Sequence, residues 1–152
     1  MADVNLQQQV RLSIPAQAEY VDLVRLTLYG IAHQMGFSFE DIEDMKVAVS
    51  EACNNAVLYA YKRDGGIVDI VFNVGDQELE LVIRDEGESF DAEEKTQEPG
   101  AWHDTPLEDV ETGGLGFYLM QALMDDLEVN SMEGRGTEVR MKKSITFSEE
   151  HQ

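Results

Sequence analysis

The segment IVDIVFNVGDQELELVIRD, Ile67 to Asp85, constrains the fold more than any other part of the chain. Two runs of strand-like composition, about Ile67 to Val74 and about Glu78 to Asp85, flank a tight connection around Gly75 and Asp76. They predict two strands joined by a hairpin turn. Parity then places Leu79, Leu81, Ile83 and Asp85 on one side of the second strand, so a carboxylate follows three core-facing apolar residues. A buried carboxylate needs a donor. A backbone N–H would serve, and so would a ligand amino group such as the exocyclic amine of adenine. Gly87 frees the backbone just beyond for a turn against a ligand.

The flanking sequence supplies the rest of an α+β domain. Val10, Leu12 and Ile14 alternate with Arg11 and Ser13 in a short strand ending at Pro15. A helix follows from about Ala16 to Met35, with the stripe Val21, Val24, Leu28, Ile31, Met35, and with Gly36 suited to its C-terminal cap. Leu23 and Leu26 lie off that stripe, and a broad core face accounts for them more readily than a partner surface does. The next helix starts at Ser38, an N-cap with Asp41 three residues on, and Phe37 and Ile42 form a hydrophobic staple. Its core face is Ile42, Met45, Val49, Ala52, Cys53, Ala56, Ala60.

Beyond the hairpin, periodicity vanishes from Glu86 to Thr112. A stretch of that length within a compact domain is a functional lid, here about residues 88–112, or an insertion. A helix opened by GGLGFYLMQALMDD comes next, with Phe117, Met120, Leu123, Met124 and Leu127 at core spacing. A strand near Glu128 to Ser131, a turn around Gly134 and Gly136, and a last strand from Thr137 to Lys142 complete the chain. Thr137 shares parity with Val139 and Met141 and so faces inward. The tail is expected to fray from about Ser144. His33 reads as a helix-surface or helix-end residue, and His103 and His151 as solvent-exposed. No internal repeat or second domain is evident, which makes 1–152 one domain.

Composition narrows the function. Eleven basic against 31 acidic residues leave a net charge of −20, which repels phosphate backbones and excludes direct nucleic-acid binding. Cys53 is the single cysteine, so no intrachain disulfide can form. The N-terminus lacks the basic and apolar regions of a signal peptide, and the longest mostly apolar stretch, IVDIVFNV, is far too short to span a membrane. A soluble cytoplasmic protein is expected.

Two further clusters carry chemistry. In SEACNNA, Glu51 and Asn55 stand at i and i+4, about 40° apart around the helix and away from its core face. Together they offer a carboxylate to accept a proton and an amide oxygen to ligate Mg²⁺. A solvated polar face is the plainer alternative. Against it, Asn54 and Asn55 lie deep in a helix, where each costs roughly 0.6 kcal/mol relative to Ala. In the glycine run, Gly113, Gly114 and Gly116 let backbone N–H groups approach an anion at a helix N-terminus. No Lys follows, which excludes a Walker-type loop.

Taken in order, EACNNA, RDEG and GGLG resemble the N, G1 and G2 boxes of the GHKL ATPases, the superfamily that includes the histidine kinases. AEYVDLVRLTLYGIA, FEDIEDMKVAVSEACNNAVLYAYK and GGLGFYLMQALMDDLEV resemble more narrowly the anti-sigma-B factor serine kinases of Gram-positive bacteria. The likeness runs from about Val10 to Lys143. It implies a Bergerat fold: a two-layer α/β sandwich with a mixed, mostly antiparallel sheet covered on one face by helices.

The same resemblance implies ATP and Mg²⁺ as cofactors. Glu51 would be the general base, Asn55 the Mg²⁺ ligand, and Asp85 the acceptor for the adenine amine, with Gly87 shaping that pocket and Thr137 supporting it. Gly113, Gly114, Leu115 and Gly116 would line the phosphates beneath the lid. The implied partners are a sigma-B-like sigma factor, an anti-anti-sigma protein phosphorylated on serine, and a second copy of the chain in a homodimer. Sporulation relatives carry an Arg just before the glycine run, where this chain has Glu111 and Thr112, so no role of that Arg transfers. A nucleotide-gated sigma-binding module without kinase activity is the alternative function.

Overall fold

The hairpin forms as its pattern requires. In the computed structural model, which describes residues 8–60, 66–86, 115–132 and 136–145, β2 (Ile67–Val74) and β3 (Glu78–Asp85) pair antiparallel with Val74 opposite Leu79. The Gly75 N–H donates to the Glu78 carbonyl at 2.9 Å and closes the turn. β1 (Gln8–Pro15) pairs with β2, and β5 (Gly136–Ser144) joins β3 to the outer strand β4 (Asp126–Met132), so the order is β1-β2-β3-β5-β4. All four pairings are antiparallel. The parallel component of the expected mixed sheet thus has no counterpart among the described residues.

Among the described residues three helices cover one face: α1 (Val21–Met35), α2 (Phe39–Asn55) and α3 (Leu115–Leu123). Inward positions of the sheet, including Ile70, Phe72, Leu81, Ile83 and Met141, meet Val24, Leu28, Met45, Val49, Phe117 and Met120 in one buried cluster. Each large side chain there contributes roughly 1.5–3 kcal/mol by leaving water. The opposite face is polar. A chain of side chains crosses four strands there: Gln9 to Asn73 (2.8 Å), Asn73 to Glu80 (2.8 Å), Arg140 to Glu80 (3.2 Å) and to Glu138 (3.4 Å), and Arg84 to Glu138 (2.6 Å). The Arg84 hydrogen bond, aided by Arg140, holds the Glu138 carboxyl below the usual carboxylate range despite its burial.

Helix ends follow local chemistry. Gly36 takes φ 99°, its N–H reaches the Ala32 and His33 carbonyls, and the Phe37 N–H returns to Ala32, which is the Schellman closure of α1. The Ser38 hydroxyl accepts from the Asp41 N–H at 3.1 Å, capping α2. The first helix spans its apolar stripe but starts later than the expected Ala16. The Ala16 N–H is engaged by the Gly66 carbonyl at 2.8 Å and the Gln17 N–H by Pro15 at 2.7 Å, so only a 3₁₀ turn at Ala18–Tyr20 precedes Val21. Likewise α3 stops at Leu123. Lys143 Nζ donates to the Leu123 carbonyl at 2.6 Å, the Asp125 N–H donates to Lys142, and Leu127 belongs to β4 rather than to the helix.

The C-terminal strand extends further than expected. The Ser144 N–H is held by Asp125 Oδ2 at 2.7 Å and the Ile145 N–H by the Gln77 carbonyl at 2.8 Å, so fraying does not begin at Ser144. The lid, Gly87, Gly113, Gly114, Gly134, His103, His151 and the side chain of Ala60 lie outside the described residues.

Candidate active site

Two polar clusters stand at the same end of the helix layer, one on α2 and α3, the other where β3 and β5 meet. Glu51 and Asn55 project from α2 toward the first turn of α3. A Cβ built on Gly116 would lie 3.0 Å from Glu51 Oε1, 3.3 Å from Asn55 Nδ2 and 3.6 Å from Asn55 Oδ1. The face that helical geometry points away from the core is therefore enclosed by another helix. Asn55 is only 7% exposed, and its Nδ2 is buried without a hydrogen-bond partner among the described residues. At Asn55 the face is thus not solvated, and a buried donor without a partner costs free energy until something fills its place. Glu51 is half-buried, and that burial raises its carboxyl above the ordinary range. Leu115 starts α3 and is partly buried, and Gly116 behind it is buried.

The second cluster completes the inward column of β3. Leu79, Leu81 and Ile83 are buried as parity requires, and Asp85 after them is 4% exposed. The Thr137 N–H donates to Asp85 Oδ1 at 3.3 Å. Thr137 is itself buried, with its hydroxyl oxygen unpartnered among the described residues. Gly136 makes this approach possible: at φ 106° it brings β5 so near that a Cβ would sit 2.0 Å from the Asp85 carbonyl oxygen. α2 continues past Asn55 as a π-helical turn, Ala56–Ala60, that lies against β3 and β5 and so links the two clusters. Wide turns of this kind are frequent at functional sites.

Thus Glu51, Asn55 and Gly116 converge, as do Asp85 and Thr137. Gly136 was legible only as a turn residue; the G-R-G-T spacing held the signal, since a glycine ahead of an inward Thr permits close backbone approach. Ser50 escaped notice altogether. It is buried beside Glu51, accepts from Arg25 at 2.8 Å and donates to the Lys46 carbonyl at 2.7 Å. Arg25 also pairs with Asp22.

Elsewhere, the broad core face expected for α1 does not form. Leu23 and Leu26 are 46% and 67% exposed, and Leu26 borders an open groove of about 480 Å³ with Asp22, Arg25, Tyr29 and Lys46. His33 is exposed at the end of α1 and stacks on Tyr29. Cys53 is buried, which pushes its thiol up to about 12 against the pull of Arg25.

The fold is that of an ATPase domain: the family model of the histidine kinase-like ATPase domain matches residues 14–143. Among individual proteins, the serine-protein kinase RsbW of Oceanobacillus iheyensis is 45% identical over 142 residues, covering 92% of this chain and 89% of the relative. The serine-protein kinase RsbW of Bacillus subtilis is 47% identical over 129 residues, covering 82% and 79%. The chain belongs to the RsbW family of serine-protein kinases. The crystal structure of the RsbU and RsbW domains of a Mycobacterium tuberculosis protein shares the fold, with a TM-score of 0.67 at 18% identity over 93% of this chain and 33% of that one.

Proposed function

We propose that this serine kinase uses Mg-ATP to phosphorylate a serine of an anti-anti-sigma protein, and that it sequesters a sigma-B-like sigma factor when that antagonist is phosphorylated and released. The observation that carries the nucleotide assignment is the pair of orphaned buried polar atoms, Asn55 Nδ2 and Thr137 Oγ1, one in each cluster. Adenine at Asp85 and Thr137, with Gly87 beyond, would satisfy one. Phosphate oxygens near Asn55 would satisfy the other. If the Asn55 amide is turned over, its oxygen takes the same place, and that position suits a hard cation. Among the described residues no group of three or more His, Cys, Asp or Glu side chains could hold a metal ion, so Mg²⁺ would draw on Asn55 and the nucleotide phosphates. There it would neutralise charge on the triphosphate.

Glu51 does the proton chemistry. It receives the serine hydroxyl proton as that oxygen bonds to the γ-phosphorus and the bond to the β–γ bridging oxygen breaks, leaving ADP. The residues around it act mainly by positioning. Gly113, Gly114 and Leu115 belong in this scheme with the phosphates. Leu23, Leu26 and Tyr29 give α1 an exposed apolar surface that a sigma factor, the antagonist or a second copy in a homodimer can cover. No described helix is long and apolar enough to cross a membrane, and the net charge of −20 disfavours nucleic acid, in keeping with action in the cytoplasm on protein partners.

Single-turnover transfer from labelled ATP tests the assignment. Glu51→Gln should bind ATP within about twofold of the parent while transfer falls by roughly 10²–10⁴. Unchanged transfer would remove Glu51 from the base role. No label transferred by the parent would favour the nucleotide-gated binding module.

A further inference from the structure

Gly116 presents a glycine whose backbone does not require one. Among the described residues only Gly36 and Gly136 have positive φ, so the conformation at 116 is open to any L-residue. Inside a helix, glycine costs roughly 0.8–1 kcal/mol relative to alanine. What sets this position apart is the space in front of it. A Cβ would fall 3.0 Å from Glu51 Oε1 and 3.3 Å from Asn55 Nδ2, both on a different helix. Gly30 is the internal contrast: it too is helical, and a Cβ there meets nothing within 4 Å.

We propose that Gly116 is a positioning residue for the base, its bare Cα forming the floor on which the Glu51 carboxylate and the Asn55 amide rest. The proposal rests on the kinase assignment of Glu51 and departs from it in one respect. Gly116 acts on the carboxylate, whereas a phosphate-lining glycine acts on the nucleotide. Glu51 and Asn55 stand one turn apart on α2, and a methyl group beneath them would have to displace one or both. Displacement of Glu51 by a few tenths of an ångström or more alters its aim at a hydroxyl proton, and general-base transfer is steep in that geometry. The adenine end of the nucleotide, assigned to Asp85 and Thr137 at the far cluster, is untouched by the change.

The test is Gly116→Ala, with Gly30→Ala as the control for adding a methyl to a helical glycine. Gly116→Ala should lower kcat at least tenfold while KM and Kd for ATP change by clearly less than kcat, and should shift the ¹³C titration of the Glu51 carboxyl. Gly30→Ala should do neither. In a Glu51→Gln background, Gly116→Ala should lower the residual rate by clearly less than it lowers the parent's, because the main function it disturbs is already gone.

A kcat within threefold of the parent, or a loss confined to ATP affinity, would overturn the proposal. So would an equal further loss in the Glu51→Gln background. If Gly116→Ala folds poorly, melting temperatures decide: Glu51→Ala/Gly116→Ala should melt above Gly116→Ala alone, and no recovery overturns the contact. Failure of the kinase assignment is separately visible as unchanged transfer in Glu51→Gln alone, whereas the carboxyl titration reads the Gly116 contact without any activity.

Discussion

Gly136→Ala separates two effects that glycine substitutions usually mix. Gly136 and Gly36 have nearly the same positive φ, 106° and 99°, so alanine at either bears a similar conformational cost of about 1–2 kcal/mol. Their surroundings differ. A Cβ at Gly36 meets nothing within 4 Å, whereas at Gly136 it lies 2.0 Å from the Asp85 carbonyl oxygen and 2.8 Å from Asp85 Oδ1. The carbonyl is backbone of β3 and cannot rotate aside. Relief requires β3 and β5 to part by roughly 1 Å at their ends, an overpacking cost of about 1–3 kcal/mol. The same parting stretches the 3.3 Å hydrogen bond from the Thr137 N–H to Asp85.

Gly136→Ala should therefore lose about 2–5 kcal/mol and Gly36→Ala about 1–2 kcal/mol in urea unfolding, the first exceeding the second by the overpacking cost. At this chain length the first corresponds to a drop in Tm of about 5–15 °C. Nucleotide affinity offers a second axis. It should weaken at least tenfold in Gly136→Ala at temperatures where the protein is folded, and hold in Gly36→Ala. Equal stability losses in the two variants would refute the steric argument, and unaltered nucleotide affinity in Gly136→Ala would dissociate the β3–β5 junction from the nucleotide.

Burial raises the Glu51 carboxyl, so the fraction able to accept a proton declines on acidification at a higher pH than for an exposed glutamate; the acid limb of kcat/KM in steady-state assays should lie above the ordinary carboxylate range. A limb within that range would count against the half-buried geometry. Glu138 gives the opposite sign for stability: its depressed carboxyl contributes above the unfolded-state value and loses that contribution as pH falls through its lower folded value, so Glu138→Gln should flatten the acid side of a stability-versus-pH curve. Lys143→Met keeps the apolar stem but leaves the Leu123 carbonyl without its donor and Asp41, 4.0 Å away, without its cation, for a loss of about 1–2 kcal/mol by thermal or urea unfolding.

The sheet was legible because alternation is a local property. The ranges of β2 and β3, and the inward parity of Asp85 and Thr137, follow from counting by twos, and the structure buries both residues. The cap at Ser38 and the left-handed Gly36 were equally local. What could not be read is where one element stops because another claims its backbone. Ala16 is held by Gly66, and Leu123 by Lys143, partners 50 and 20 residues away in the chain. Leu23 and Leu26 failed for a related reason: apolar character does not reveal whether a neighbouring helix arrives to cover it.

The site shows the same division in a form that bears on mechanism. Helical counting sets Glu51 and Asn55 on a face pointing away from the core, and taken alone such a face is solvated. α3 closes over it with Gly116 at the point of approach, where a side chain would crowd Glu51 and Asn55, so a polar face becomes the half-dry wall of a pocket. The desolvation that raises Glu51 and the missing partner of Asn55 then follow from one packing event. The helix propensity lost at Asn55 and at Gly116 has a common structural cause. Each residue is unfavourable for its own helix and necessary for the contact between the two, which is how a sequence marks a site that local rules alone would have written differently.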